Sequence, residues 1–388
     1  MTTNKFTFID LFCGIGGFHQ ALKSLGGECV FASDIDKECQ LNYHENYGLE
    51  VHGDVTKIDA SDVPDHDILV GGFPCQAMSN AGHKKAFNDD KRGKLFDEIV
   101  RIAKEKRPKI MMLENVKHIK KVSKGEVYRY VYDQLRDIGY HVQDVTMSPH
   151  QFGVPQLRER VYFLCLDKSL FPDIIIDVTS PVSKPTHIFE KLSKTDLSKY
   201  SVSSDVRATI DAWDEMIKKM PEGKRFSVPI LTNEFTSTED LDTLPDWKQN
   251  YVKKNKLLYE EYENDWDLWL KTHSEVLNKR AIFKKLEWQV GPVKENDSIW
   301  DYFIQLRQSG IRVKKTDYFP TLVAIVQVPI YGKEKRFLTP RECARLQSFP
   351  ESYKLHKTDR LAYKQLGNSV NVCVVKHLMK DLLSQAPF

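Results

Sequence analysis

Near its start the chain runs Phe6-Thr7-Phe8-Ile9-Asp10-Leu11-Phe12-Cys13-Gly14-Ile15-Gly16-Gly17. An apolar run rich in Phe and Ile breaks at once into glycines. Phe18, Ala21, Leu22 and Leu25 then recur at helical spacing until Gly26-Gly27. Strand, glycine turn and helix in succession open a nucleotide-type βαβ unit. The glycines let a ligand approach the backbone closely, and a helix N-terminus favours a polar group. Alone the stretch is weak evidence, because tight turns use glycine anyway and the spacing lacks the full G-x-G-x-x-G of dinucleotide binders.

Cys29 to Ser33 reads as a second strand ending in Asp34-Ile35-Asp36. An acidic residue roughly 20 residues past the glycines suits ribose hydroxyls; a solvated loop aspartate fits equally well. Lys37 to Tyr47 reads as a helix, and Glu50 to Val55 as a third strand with Asp54 at its exit. Asp54 suits the exocyclic amine of a purine, or simply a turn. Asp67 to Val70 is a short buried strand, followed by Gly71-Gly72-Phe73-Pro74-Cys75-Gln76. Open α/β sheets bind ligands at the carboxyl ends of their strands, so Cys75 is expected in a loop at such an end. Asn80, Gly82, His83, Lys84 and Lys85 follow closely. A thiol needs electropositive surroundings to become a thiolate nucleophile; a small buried cysteine is the commoner fate.

A polar loop is expected from Ala77 to Gly93, of a length usually functional or mobile. After it, Leu95, Phe96, Ile99, Val100, Ile102 and Ala103 mark a buried helix, and Ile110 to Leu113 a strand ending in Glu114-Asn115-Val116. A carboxylate directly at a strand end is either a turn acid or a working group. Val127, Val131, Leu135 and Ile138 sketch another helix, and His141 to Met147 alternates as a strand. Gln156-Leu157-Arg158-Glu159-Arg160 leads into the strand Val161 to Leu164. Two arginines around one glutamate suit a surface ion pair, seldom worth much, or a rigid anion clamp.

The βα rhythm stops near Leu166. All six tryptophans lie between there and Lys335, as core material or as part of a nucleic-acid surface where lysines interleave with aromatics. No helix-turn-helix or zinc-finger pattern is evident. Regular pattern returns at Thr339-Pro340-Arg341-Glu342, a clear helix start, and Gln365 to Val370 turns into a last helix from Val372 to Leu383. With 388 residues, 41% hydrophobic and 29% charged, the chain reads as a globular protein of two or three domains. A net charge of +3 neither demands nor excludes nucleic acid, so any basic surface is local. Seven scattered cysteines with no Cys-x-x-Cys pair argue against a disulfide framework and a zinc ribbon, and for a reducing compartment. No signal peptide and no membrane-spanning run is read, and no metal is expected.

These stretches, in this order, resemble the cytosine-C5 DNA methyltransferase family. Asp10 to Phe18 resembles its cofactor loop, Gly72-Phe73-Pro74-Cys75-Gln76 its catalytic loop, and Glu114-Asn115-Val116 its catalytic acid motif. Gln156 to Arg160 resembles its paired-arginine motif, and Leu338 to Pro350 with Gly367-Asn368-Ser369-Val370 its last two motifs. Met78 stands where the family usually has Phe, which touches only local loop packing. The Pro-Pro-Tyr mark of amino-methylating relatives is absent.

The resemblance implies a doubly wound, Rossmann-like α/β sheet of the S-adenosylmethionine-dependent methyltransferase kind with a second, smaller target-recognition domain. The implied divisions are 1–166 with 361–388 as catalytic and cofactor-binding domain, 167–335 for target recognition, and 336–360 as a connecting hinge. The implied catalytic residues are Cys75, Glu114, Arg158 and Arg160. Phe12, Cys13, Gly14, Ile15, Gly16, Gly17, Asp34, Ile35, Asp54, Val55, Pro74, Asn368, Ser369 and Val370 are implied to hold S-adenosyl-L-methionine. Gln76, Ser79, Lys84, Arg92 and Thr321 are implied to contact DNA. The expected partner is double-stranded DNA, with a cognate restriction endonuclease acting separately, in a monomer of the bacterial cytoplasm. An RNA methyltransferase of the same family is the nearest alternative, disfavoured by the long insert and Gln76. An inactive nucleotide-binding relative is disfavoured by intact Cys75, Glu114 and Arg160.

Overall fold

The computed structural model describes residues 5–74, 94–181, 183, 197–316, 319–322 and 327–386. By contact pattern the chain divides into two units: the first holds the chain up to Glu190 and from Pro340 onward, the second most of what lies between. The sequence placed these divisions at 167 and 361, with 336–360 as a hinge; the contacts instead join Pro340 onward to the first unit.

The first unit is built on β1 (Phe6–Leu11). Phe6, Phe8, Ile9, Asp10 and Leu11 are all buried, as expected of a strand with neighbours on both edges and cover on both faces. Around it lie β2 (Gly27–Ser33), β3 (Val51–His52), β4 (Ile68–Gly72), β5 (Ile110–Val116), β6 (Tyr140–Met147) and β7 (Arg160–Asp167). The sheet order is β3-β2-β1-β4-β5-β7-β6. β1, β2, β3, β4 and β5 pair in parallel, while β7 runs antiparallel to both β5 and β6. The helices are α1 (Gly17–Lys23), α2 (Lys37–Tyr47), α3 (Lys94–Lys106) and α4 (Glu126–Asp137). Phe96, Ile99, Ile102 and Ala103 of α3 and Val127, Val131 and Leu135 of α4 are buried in the core that packs on β4, β5 and β7.

Three local readings change. β3 is two residues long rather than six, so Asp54 sits in the following loop and caps a short 3-10 helix, Val55–Lys57. β4 takes in both glycines, because Gly71 pairs with Leu11 and a Cβ there would meet the Leu11 carbonyl at 3.0 Å. β5 runs past Glu114 to Val116, so Glu114 lies within the paired strand, opposite Gly72 and Tyr162.

In the second unit α5 (Ser204–Lys219), α6 (Asp246–Glu261) and α7 (Glu263–Asn278) accompany a second sheet. Its strands are β8 (Ile230–Leu231), β9 (Lys285–Gln289), β10 (Phe303–Arg307), β11 (Gly310–Lys314), β12 (Ile330–Tyr331) and β13 (Arg336–Phe337), in the order β13-β12-β10-β11-β9-β8. Tryptophan is core material here: Trp213, Trp266 and Trp269 are fully buried against one another. The indoles of Trp213 and Trp269 donate to the Phe283 and Ala212 carbonyls at 2.8 and 2.7 Å. Trp247 alone of the six stands largely exposed, at 63%.

The chain after Pro340 forms α8 (Pro340–Leu346), α9 (Asp359–Asn368) and α10 (Val372–Gln385). Asn371 caps α10 through the Cys373 and Val374 amides. Among the described residues no helix is long and apolar enough to cross a membrane.

Candidate active site

A cavity of about 480 Å³ opens at the carboxyl ends of β1, β2, β4 and β5, lined from the glycine turn, the exits of β2 and β4, the end of β5, Arg158, Arg160 and the end of α9. Its floor is a strained turn. Phe12 and Gly14 have φ of 56° and 53°, and Gly16 has 76°; a positive φ is uncommon for a side chain the size of Phe12. The Asp34 carboxylate holds this turn. One oxygen accepts the Gly14 N–H at 2.8 Å and the other the Asp36 N–H at 2.8 Å. Asp34 is therefore a built-in group rather than a solvated loop acid. Burial raises its pKa, and the two amides oppose that rise. A carboxylate has about four acceptor sites, so two remain for hydroxyls. Ile35, 75% exposed, stands in the cavity wall beside it.

Asp54 lines the same cavity. Its Oδ1 accepts from the Thr56 amide and hydroxyl at 3.0 and 2.8 Å, which leaves Oδ2 as its free acceptor. Val55, Pro74, Asn368 and Ser369 also line it. Cys13, Ile15, Gly16, Gly17 and Val370 do not; they build the wall behind. The Cys13 N–H donates to Ser33, Tyr47 donates to the Gly16 carbonyl at 2.9 Å, and Tyr353 donates to that of Ile15 at 2.7 Å. A Cβ on Gly17 would fall 2.7 Å from Ser369 and Val370, so only glycine lets the turn and the C-terminal segment meet this closely.

At the other end, the Arg160 Nε lies 3.0 Å from a Glu114 oxygen, both side chains largely buried. Burial raises the Glu114 pKa, and the charges of Arg160 and Arg158 only partly offset that rise. Arg158 is turned elsewhere: its Nη2 donates to the carbonyls of Gly367 and Ser369 at 3.0 and 2.9 Å. It thereby ties the residues before β7 to the C-terminal end of α9. The sequence grouped the two arginines together; the geometry separates their tasks.

Asn115 is the main site residue whose role the sequence does not reveal. It is buried and its Nδ2 donates to the Phe73 carbonyl at 3.0 Å. That bond ties β5 to the segment leading into Cys75. Gln365 was also missed; it lines the cavity and donates to the Glu38 carbonyl at 3.0 Å. Cys75, Gln76, Ser79, Lys84 and Arg92 lie outside the described residues. Thr321 belongs to the second unit and is not among the residues lining the cavity.

A mostly parallel sheet with one antiparallel strand, with a cavity at its strand ends beside a buried acid–arginine pair, is the architecture of the α/β methyltransferase class. The chain belongs to the C-5 cytosine-specific DNA methylase family, whose model matches residues 6–384, and is a DNA cytosine-5-methyltransferase. It is 33% identical to the type II methyltransferase M1.ScrFI of Lactococcus lactis subsp. cremoris, over 98% of this chain and 79% of that protein. It is 34% identical to the type II methyltransferase M.HpaII of Haemophilus parainfluenzae, over 98% and 90% of the two chains. Among solved structures, the Dnmt2 methyltransferase of S. pombe superposes with a TM-score of 0.54 at 21% identity, covering 99% of this chain and 100% of that one. The methyltransferase EhMeth of Entamoeba histolytica gives 0.57 at 19%, covering 98% of each. These two bear on the fold alone.

Proposed function

We propose that the chain methylates C5 of one cytosine within a specific double-stranded DNA sequence, through a covalent adduct of Cys75 on a base turned out of the helix. The observation that carries this reading is Glu114. It is a buried carboxyl with a raised pKa, braced by Arg160, in the same cavity as Asp34 and Asp54. One end of that cavity thus suits a nucleoside and the other a base that needs a proton.

S-adenosyl-L-methionine fits the donor set. Asp34 keeps acceptor capacity for ribose hydroxyls, Asp54 has a free oxygen for the adenine amine, and the glycine turn lets the molecule lie against the backbone. When bound, it supplies an electrophilic methyl group on a sulfonium. Phe12, Ile35, Val55, Pro74, Asn368 and Ser369 complete its surroundings.

C5 of cytosine is a poor nucleophile. Thiolate addition from Cys75 to C6 makes it enamine-like, and Glu114 favours that addition by holding a proton at N3. Arg160 keeps Glu114 in place. Methylation at C5 is followed by loss of the C5 proton to a base and expulsion of the Cys75 thiolate, which restores the ring. A cytosine stacked in duplex DNA is out of reach, so the base must leave the helix. Gln76, Ser79, Lys84 and Arg92 contact the DNA around it, and Thr321 of the second unit contacts its backbone. The type II relatives support a place in a restriction–modification pair, with a separate endonuclease.

The test is incubation with methyl-labelled S-adenosylmethionine and either duplex DNA or tRNA, then bisulfite sequencing of the DNA. Label in DNA, with protection of one cytosine within one recurring sequence, is the expected result. Label confined to tRNA would overturn it.

A further inference from the structure

The stretch Lys117-His118-Ile119-Lys120-Lys121-Val122-Ser123-Lys124 carries four lysines and no acid, a charge of +4 in a chain whose net charge is +3. It leaves the end of β5, whose last residue, Val116, pairs with Arg160 and lines the cavity. Two short 3-10 turns, Lys117–Lys120 and Val122–Gly125, fold it back on itself. Ile119 and Val122 are buried in the core of the first unit and pin it there. Lys117, His118, Lys120, Lys121 and Lys124 all remain exposed.

The stretch is therefore a fixed basic shelf rather than a loose charged tail. Its far end is strained: Ser123, Lys124 and Gly125 have φ of 47°, 55° and 84° in succession. Non-glycine residues keep such angles only where the surroundings over-determine them, which happens at ligand sites. Two of the lysines are occupied, Lys117 with Glu159 at 2.6 Å and Lys120 with Asp144 at 2.5 Å. Lys121 and Lys124 have no acidic partner among the described residues. Two exposed lysines without acidic partners on a pinned turn next to the cavity fit a polyanion that runs past its mouth.

We propose that this shelf holds phosphates of the DNA backbone beside the reacting cytosine, with Lys121 and Lys124 making the contacts. The inference rests on the proposed DNA reaction and adds a non-specific anchor on the catalytic unit itself. Such contacts position the duplex and carry no sequence information.

The experiment compares wild type with Lys121→Gln/Lys124→Gln by fluorescence anisotropy on a duplex at several salt concentrations. Each phosphate contact contributes about 0.9 to the slope of log affinity against log salt. The double variant should lower that slope by about 1.8 and weaken binding roughly tenfold at moderate salt, equally for all sequences. KM for DNA should rise while kcat and S-adenosylmethionine affinity stay put. A control pair, Lys376→Gln/Lys380→Gln on exposed positions of α10, should leave the slope unchanged. An unchanged slope in the first variant, an equal loss in the control, or weakened binding of tRNA alone would overturn the proposal. Wild-type enzyme that leaves DNA cytosine unmethylated would instead sink the reaction on which it rests.

Discussion

Glu114 sets the expected pH behaviour. Burial lifts its pKa above the ordinary carboxylate value of 4.5, so it keeps its proton to higher pH than an exposed glutamate. The step that uses the protonated acid is fully available below that raised pKa and is lost as pH rises through it. Single-turnover rates should therefore show a falling limb toward high pH, which Glu114→Gln removes while lowering the plateau by about a hundredfold or more. A falling limb that survives in the variant would assign it to another group. His19 gives a stability counterpart. Burial depresses its pKa from 6.5 to about 3, and its Nδ1 meets the Tyr43 hydroxyl at 2.7 Å. The folded chain holds it neutral while the unfolded chain protonates it, so stability is complete above 6.5 and falls as pH drops toward 3. Urea unfolding across that window should show a smaller loss in His19→Gln. Asp34→Ala should raise the S-adenosylmethionine dissociation constant by roughly tenfold or more, the scale of a hydrogen bond to a charged group. An unchanged constant by calorimetry would remove Asp34 from the binding site.

Between elements, the working contact is Asn115 of β5 with the Phe73 carbonyl beyond β4. Asn115→Ala should let the segment before Cys75 shift, and small misplacements cost about a hundredfold in rate. The expected pattern is a fall in kcat with S-adenosylmethionine affinity near wild type; a fall in affinity alone would mean that the bond shapes the cofactor end instead. Much at this scale was legible in the sequence. α2 has the bounds the sequence predicts, Lys37–Tyr47; in the structure Asp36 caps it and Gly48 ends it. β3 is shorter than the sequence predicts, because an edge strand with one neighbour leaves the sheet as soon as its partner ends. α9 was missed because it is held by polar bonds rather than an apolar stripe: Lys364 pairs with Asp36 at 2.8 Å, and Gln365 binds the Glu38 carbonyl. Of the residues that line the cavity, Asp34, Asp54 and Glu114 follow from strand ends and Gly14 from the glycine turn, whereas Ile35, Val55, Asn368 and Ser369 follow only from the family resemblance. The partners of Arg158, 209 and 211 residues away, follow from neither, since nothing local in the chain marks which carbonyls a buried guanidinium will find.

For the whole molecule, the proposed reaction divides its tasks between the two units. The cavity and both ends of the acid–arginine system are drawn wholly from the first. The second has its own core around Trp213, Trp266 and Trp269, so its surface can vary without disturbing the chemistry. We expect sequence choice to lie in the second unit. Replacing 191–339 by the matching region of a relative with another target should transfer that target, read by bisulfite sequencing of a plasmid; methylation of the original sequence by the chimera would place recognition elsewhere. The proposed reaction stands or falls on the Cys75 adduct, and a duplex bearing 5-fluorocytosine at the target probes it, because fluorine at C5 blocks the final elimination. Peptide mapping of the trapped complex should find the base on Cys75 and no adduct in Cys75→Ser. A stable adduct on another cysteine, or efficient turnover by Cys75→Ser, would contradict it.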